Sequence, residues 1–368
     1  MLVQDVQHIV ELWAPTEIAW ERDNVGLQVG SRDKQVQRIL VALDVNDEVV
    51  LEAKRKNVDL VITHHPLLFR QPKSITPSDR VGKIIISLVQ NDIALYAAHT
   101  NFDFTSGGVS FALAEALGLQ QVTFLDRQQE GLRKIAVFVP PEHVERVAEA
   151  MAAAGAGVLG RYDHCSFRSE GTGTFRGGEG AKPFLGEAGK LEQVKEIRLE
   201  MIAPRWKTDE VVGAMRAAHP YEEVAYDIYV LENPSVQYGV GAIGALPGAV
   251  KLKKFLQVIK DKLGVSSLRF CGDEDQQVQT VAVCGGSGSD LIDVAVRRKA
   301  DVFVTADVRY HAFEAARGRI ALVDAGHFET EQPSLDRLVE HLQREIALRK
   351  ERVEVVKTSV NTNPVHYC

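Results

Sequence analysis

Cysteine is scarce. Cys165, Cys271, Cys284 and Cys368 are the only four in 368 residues, far apart and without a C-x-x-C pair. That spacing excludes a disulfide framework or a thiolate zinc site, and points to reduced thiols in a cytoplasmic protein. No hydrophobic run approaches the ~20 residues needed to span a bilayer, so no membrane role is expected. The N-terminus also lacks the charged-then-apolar pattern of a signal peptide. Positive charge is in deficit, with 43 Lys and Arg against 50 Asp and Glu. A net charge of -7 argues against a nucleic-acid partner. The local basic cluster Lys251–Lys262 carries Leu252, Phe255, Leu256 and Ile259 at helical spacing. It therefore reads as a surface helix with a solvated basic face.

What is present is ordinary globular composition, 45% hydrophobic, in a chain long enough for two domains. The opening helix Val3–Trp13 breaks at Pro15, and Trp20–Gly30 reads as a folded loop. Arg38–Val45 and Asp59–Thr63 are apolar enough for buried strands, joined by the amphipathic helix Asn46–Lys56 with Asn46 as N-cap. A helix over Arg80–Gln90, the strand Ile93–Ala98 and a helix running to Leu117 continue the α/β alternation.

Near Asp126 the pattern changes. Strands at Lys134–Val139, Arg161–Glu170, Glu196–Ile202 and Glu223–Val230 alternate with helices at Pro141–Ala154 and Thr208–Ala218, with a glycine-rich hairpin region between the middle strands. The order β-α-β-β-α-β is the split βαβ of ferredoxin-like domains. Residues 128–232 are accordingly expected to form a ferredoxin-like α+β domain inserted into a discontinuous α/β main domain of 1–127 and 233–368. Beyond Asn233-Pro234, strands are expected at Tyr238–Gly244, Thr280–Cys284, Asp301–Thr305, Ile320–Val323 and Val353–Val360. Helices over Asp290–Lys299, His311–Arg317 and up to about Arg349 lie among them.

The stretch that organises the chain is Asp59-Leu-Val-Ile-Thr-His-His-Pro66. Pro66 cannot donate to a ladder, so His64 and His65 fall at the carboxyl end of a strand, where open α/β sheets place ligands. Adjacent residues of an extended segment point to opposite sides, so two ions taking one imidazole each fit better than one ion taking both. An internal repeat extends the set. Leu40-Val-Ala-Leu aligned on Ala282-Val-Cys-Gly puts Asp59–Thr63 on Asp301–Thr305 without a gap and His65 opposite Asp307. Ala94–His99 then matches Leu322–His327, and Asp103 matches Glu331.

Both copies thus end a strand with His-x-x-x-carboxylate. Two pseudo-repeated α/β halves packed about a dyad would gather His64, His65, Asp103, His327 and Glu331 in one cleft. Such a mixed N/O set suits two divalent ions, zinc first and then Mn, Fe or Ni. Two glycine motifs are weaker. Gly239-Val-Gly-x-x-Gly244 lacks the helix of a dinucleotide fingerprint, and Gly285–Gly288 lacks the P-loop lysine. His219-Pro-Tyr-Glu-Glu223 ends a helix and is a candidate contact motif.

Thr63-His-His-Pro66, His99-Thr-Asn-Phe-Asp103 and Gly326-His-Phe-Glu-Thr-Glu331 resemble the motifs of the GTP cyclohydrolase I type 2 family, the Nif-three-like proteins. Val304–His311 adds a weaker match, with Ala306 where glycine is expected. The stretch around His219 is similar to the PII/CutA-type domain of longer bacterial members. The resemblance implies a dinuclear centre held by His64, His65, Asp103, His327 and Glu331, and a toroidal homohexamer. The implied activity is hydrolysis of a small molecule by metal-activated water, at an imidazole-ring carbon of a purine nucleotide or at a phosphoester. His99 and Asp307, left outside that ligand set, are then candidates for orientation or proton transfer, with His311 a third. The rival expectation is a non-enzymatic metal-handling or regulatory protein.

Overall fold

The computed structural model describes residues 1–366 apart from 130, 161 and 179. Cys368, and Arg161 at the start of one expected strand, lie outside the described residues. The chain forms two compact units, Met1–Asp126 with Tyr238–Cys368, and Arg127–Gln237.

In chain order the strands begin with β1 (Gly26–Val29), β2 (Arg38–Ala42), β3 (Leu60–Thr63), β4 (Ala94–Ala97) and β5 (Gln120–Arg127). The second unit contains β6 (Leu132–Val139), β7 (Ser166–Arg176), β8 (Leu191–Pro204) and β9 (Tyr226–Leu231). The chain then returns through β10 (Gly239–Lys251), β11 (Arg269–Cys271), β12 (Gln277–Ser287), β13 (Val302–Ala306), β14 (Ala321–Asp324) and β15 (Glu354–Lys357).

One sheet of the first unit runs β1-β4-β3-β2-β15. Its inner strands are parallel and β1 is antiparallel to β4. β3 and β4 are buried along their whole length, as strands covered on both faces must be. Alternate residues serve different layers. Ile39, Val41, Leu60 and Ile62 pack with Val6, Ile9 and Leu338 from the helices Val3–Trp13 and Pro333–Leu348. Leu40, Ala42 and Val61 pack with Val49 and Ile84 from the helices Asp47–Arg55 and Arg80–Gln90. The Asn46 side chain accepts from the Val49 N–H at 2.9 Å, the cap expected from sequence.

The other sheet runs β11-β14-β13-β12-β10-β5, with β12, β13 and β14 parallel, β10 antiparallel to β12 and β11 antiparallel to β14. One face packs on the helices Val109–Ala116 and Leu252–Leu263, with Phe255 fully buried. Leu252–Leu263 is thus an amphipathic helix, as its spacing requires. Its C-cap is Gly264 in the left-handed region.

The second unit is a four-stranded antiparallel sheet, β7-β8-β6-β9, with the helices Val144–Ala153 and Thr208–Ala218 on one face. The glycine-rich stretch expected as a hairpin region belongs partly to β7, whose ladder with β8 runs from Ser166–Met201 to Arg176–Leu191. Three strands had no expectation in the sequence. β1 lay inside a supposed loop, β11 has three residues, and β5 breaks its apolar run with Thr123 and Asp126. The strand Gly239–Lys251 outruns its expected end at Gly244, and Val353–Val360 shortens to Glu354–Lys357. Among the described residues, no helix is long and apolar enough to cross a membrane.

Candidate metal centre

β3 ends at Thr63, but the chain stays on course for two residues more. The His64 and His65 N–H groups donate to Ala42 O at 3.2 Å and Leu43 O at 2.9 Å. Both rings turn to one side of this irregular segment, with centroids 5.0 Å apart. The expectation that they point to opposite sides therefore fails, because alternation holds only while the backbone is extended.

The other donors sit on short helices, not on strand ends. His99 precedes the helix Thr100–Asp103, and His327 opens the helix His327–Glu331. In the helix His327–Glu331 the i,i+4 spacing puts the imidazole beside its carboxylate. His327 Nε2 lies 3.0 Å from Glu331 Oε1.

Each of the four imidazoles has its Nδ1–H engaged. His64 donates to Ala98 O at 2.9 Å, His65 to Asp44 Oδ1 at 2.9 Å, His99 to Asp23 at 2.9 Å and His327 to Asp307 Oδ2 at 2.7 Å. Acceptor-only partners keep a proton on Nδ1, leaving Nε2 of each ring as the nitrogen that can take up a proton or a cation. This arrangement orients imidazoles in metal sites.

The Nε2 atoms of His64, His65 and His327 converge on Glu331, which is buried. His65 Nε2 lies 3.0 Å from Glu331 Oε2, and His64 Nε2 lies 3.6 Å from both Glu331 Oε1 and Asp103 Oδ1. His64 Nε2, Asp103 Oδ1 and Glu331 Oε2 are nevertheless buried without a hydrogen-bond partner. Orphaned buried polar atoms are costly, and a cation among them would satisfy all three. Two overlapping donor sets fit such ions, with ligand atoms within 4.8 Å of one another. They are His64, His65 and His99, and His65, His327 and Glu331.

The charges point the same way. Burial disfavours a charged His65, yet Asp44 and Glu331 lift its pKa to about 10. Burial likewise opposes Glu331 and Asp307 at His327, which still rises to about 9. Burial, with the Glu331 charge and against the pull of His64, pushes Asp103 up to about 7. Glu331 is held well below the usual carboxylate range, its burial outweighed by His64, His327 and His65. A cluster that draws protons onto its imidazoles in this way has the negative charge a divalent ion compensates.

A model of the family described as Duf34/NIF3 (NGG1p interacting factor 3) matches residues 1–364. The chain belongs to the DUF34/NIF3 family. It is 42% identical to a Bacillus subtilis protein named GTP cyclohydrolase 1 type 2 homolog, over 98% of this chain and 97% of that one. A Halalkalibacterium halodurans protein of the same name is 40% identical over the same shares. The crystal structure of a Bacillus cereus protein related to NIF3 superposes with a TM-score of 0.87, at 41% identity, over 100% of this chain and 99% of that one.

Of the sequence-expected residues, His64, His65, Asp103, His327 and Glu331 come together in this DUF34/NIF3 chain, and His99 joins them. Asp307 stands behind His327 in a left-handed backbone conformation, also meeting the Ser287 hydroxyl. His311 does not join the cluster. Its side chain is 90% exposed and meets Glu314 of its own helix at 3.5 Å and the ring of Tyr310, neither of them part of the cluster.

Sequence reasoning missed Asp23 and Asp44. Asp23, held well below its usual range against burial by hydrogen bonds from His99 and Thr100, lay in the supposed loop before β1. It also missed the reason for Gly286. A Cβ there would collide with Glu331 Oε1, and the backbone has φ +64. Gly285-Gly286 is therefore room for a carboxylate, not a phosphate cradle. The Gly239–Gly244 motif is simply part of β10, which continues to Lys251 before the helix Leu252–Leu263 begins.

A cavity of about 500 Å³ opens beside the cluster, lined by His65, His327, Asp44, Asp307, Arg269 and Asn363 among others. Arg269 is bound to Val308 O at 3.0 Å and to Asp324.

Proposed function

We propose that this protein is a metal-dependent hydrolase with two divalent ions per chain, zinc first and then Mn, Fe or Ni. The observation that carries the reading is that four imidazoles have Nδ1 spent on an acceptor, while Nε2 of His64, His65 and His327 lies within 3.6 Å of the buried Glu331 carboxylate. Ions bound there would supply an activated water at neutral pH and neutralise charge developing on the substrate.

The chain's own groups set the stage. We assign His64, His65, His99, Asp103, His327 and Glu331 to metal holding, with His65 common to the two donor sets and Glu331 within 3.6 Å of His64. His99 thereby moves from an orienting role to a ligand role. Asp23, Asp44 and Asp307 hold the ring planes and tautomers, and the 500 Å³ cavity receives the substrate. The relatives' name points to a purine nucleotide as substrate class.

The two sheets support descent from a repeat, since β1-β4-β3-β2 and β11-β14-β13-β12 run in the same order with the same antiparallel edge. The β7-β8-β6-β9 order supports a ferredoxin-like insertion, the split βαβ arrangement.

The test offers GTP, other nucleotides and phosphoesters to chelated and metal-restored protein, following formate and phosphate separately. Formate from GTP supports a cyclohydrolase, and phosphate alone a phosphoesterase. Release of neither by fully metallated protein overturns the enzyme reading in favour of metal handling or regulation.

A further inference from the structure

The second unit contains a cavity of about 700 Å³ that plays no part in the metal centre. Its aromatic wall is Phe138, Phe175, Phe184 and Tyr221. Tyr221 sits centrally, with its ring centroid 6.3 Å from that of Phe175 and 6.2 Å from that of Phe184. The motif His219-Pro-Tyr-Glu-Glu223 places it there. His219 Nε2–H donates to Phe138 O at 3.0 Å, and the Tyr221 N–H donates to His219 Nδ1 at 3.1 Å. The buried imidazole is thus a neutral brace tying the motif to β6. Its ring packs on Tyr221 at 4.9 Å.

The polar lining is acidic. Glu170, Glu196, Glu222 and Glu223 face two guanidiniums, Arg176 and Arg198, and Arg198 already meets Glu200 at 2.9 Å. Glu196 lies on β8 and is only 9% exposed. It occupies space over β7 that exists because residue 173 is glycine, since a Cβ on Gly173 would collide with Glu196 Oε2. The Tyr221 hydroxyl is closed off from solvent and sits beside this carboxylate. A deeply seated carboxylate, a ring of aromatic faces and a net acidic rim complement a weakly hydrated cation. Aromatic faces attract such cations through their quadrupole, and the volume is that of a small-molecule site.

We propose that this cavity binds a small organic ammonium ion, with Glu196 as counter-charge and Tyr221, Phe175 and Phe184 as cation–π walls. The site lies wholly in the second unit, so it stands or falls independently of the hydrolase reading.

The experiment is calorimetric titration of the full-length, metal-loaded protein with three probes. They are choline, its neutral isostere 3,3-dimethylbutan-1-ol, and inorganic phosphate. Choline should bind about tenfold or more tightly than the isostere. Glu196→Gln should remove that preference while leaving the isostere's affinity and the metal content unchanged. Gly173→Ala, which leaves every charge in place and displaces the carboxylate, should act like Glu196→Gln and replaces it if the latter does not fold. Equal binding of choline and its isostere, tighter binding of phosphate, or no binding of choline overturns the proposal. So does an unchanged choline preference in a folded Gly173→Ala protein.

Discussion

His65 Nε2 stands 3.3 Å from His327 Nε2, although 262 residues separate the two histidines in the chain. Each ring has given its Nδ1–H to an aspartate, His65 to Asp44 and His327 to Asp307. Glu331 spans the pair, with one oxygen 3.0 Å from each Nε2. Two imidazole lone pairs face each other stably only when a proton or a cation stands between them and the carboxylate.

Metal content gives the first prediction. Elemental analysis of metal-loaded wild type should find close to two divalent ions per chain, and His64→Ala should lose at least one. Asp23→Ala, which frees the His99 ring, should keep the fold and bind metal about 10–100-fold more weakly. A metal-loaded wild type near zero, or a His64→Ala protein with full content, would falsify the assignment.

Gly286→Ala separates the room for Glu331 from backbone strain. Its Cβ would strike Glu331, whereas Gly264→Ala at φ +70 meets nothing within 4 Å. Both should lose about 1 kcal/mol to the left-handed backbone. Only Gly286→Ala should also lose metal. Equal metal content in the two variants sinks the explanation.

Acid stability should report on Glu52. This side chain is 1% exposed and bonds Lys56 Nζ at 2.7 Å, the Ser359 N–H at 3.0 Å and the Thr358 hydroxyl. Burial alone would raise its pKa, but those bonds lower it from 4.5 to about 2. A depressed folded-state pKa means the stabilisation is fully present above pH 4.5 and disappears as pH falls towards 2. The size is at most about 3 kcal/mol. Urea melts of wild type and Glu52→Gln should therefore differ most above pH 5 and converge in acid. A gap independent of pH counts against the charge as its cause.

The second unit should be removable. Ser235 N–H donates to Gln128 O at 2.9 Å, so the chain enters and leaves that unit side by side. Deleting Gln128–Glu232 and closing the gap with a short glycine-serine linker should leave a protein with native-like circular dichroism and full metal content. A folded deletion product without metal shows that the unit shapes the centre.

Light scattering tests the expected hexamer. Apolar residues are exposed on both edge strands of the second unit, among them Phe167 on β7 and Ile228 and Val230 on β9. Exposed apolar edges favour association. A monomer at micromolar concentration removes the expectation.

The apolar runs at Leu60–Thr63 and Ala94–Ala97 were legible because a strand buried on both faces must be apolar throughout, and nothing local competes with that pattern. β1, β5 and β11 escaped because an edge strand is held mainly by one neighbour's backbone, and backbone pairing leaves little trace in side chains. β7 was under-read for a related reason. Gly171 and Gly173 look like turn residues, but Gly173 is there to admit the Glu196 carboxylate from β8. The spacing of the candidate donors was legible wherever it was local, as in His64-His65, His99–Asp103 and His327–Glu331.

The sequence by itself determined the α/β alternation, the change of pattern between Asp126 and Asn233-Pro234, and the residue types that end the inner strands. Those depend on composition and short-range periodicity, which the chain carries at every position. Only the tertiary structure decided that His64 and His65 share a side, that His99 belongs with them, and that His311 does not. It alone revealed Asp23, Asp44 and Gly286, each of which acts on a group 21 or more residues away. Such pairings are set by how sheets and helices pack, and no local pattern in one segment encodes the segment it will meet.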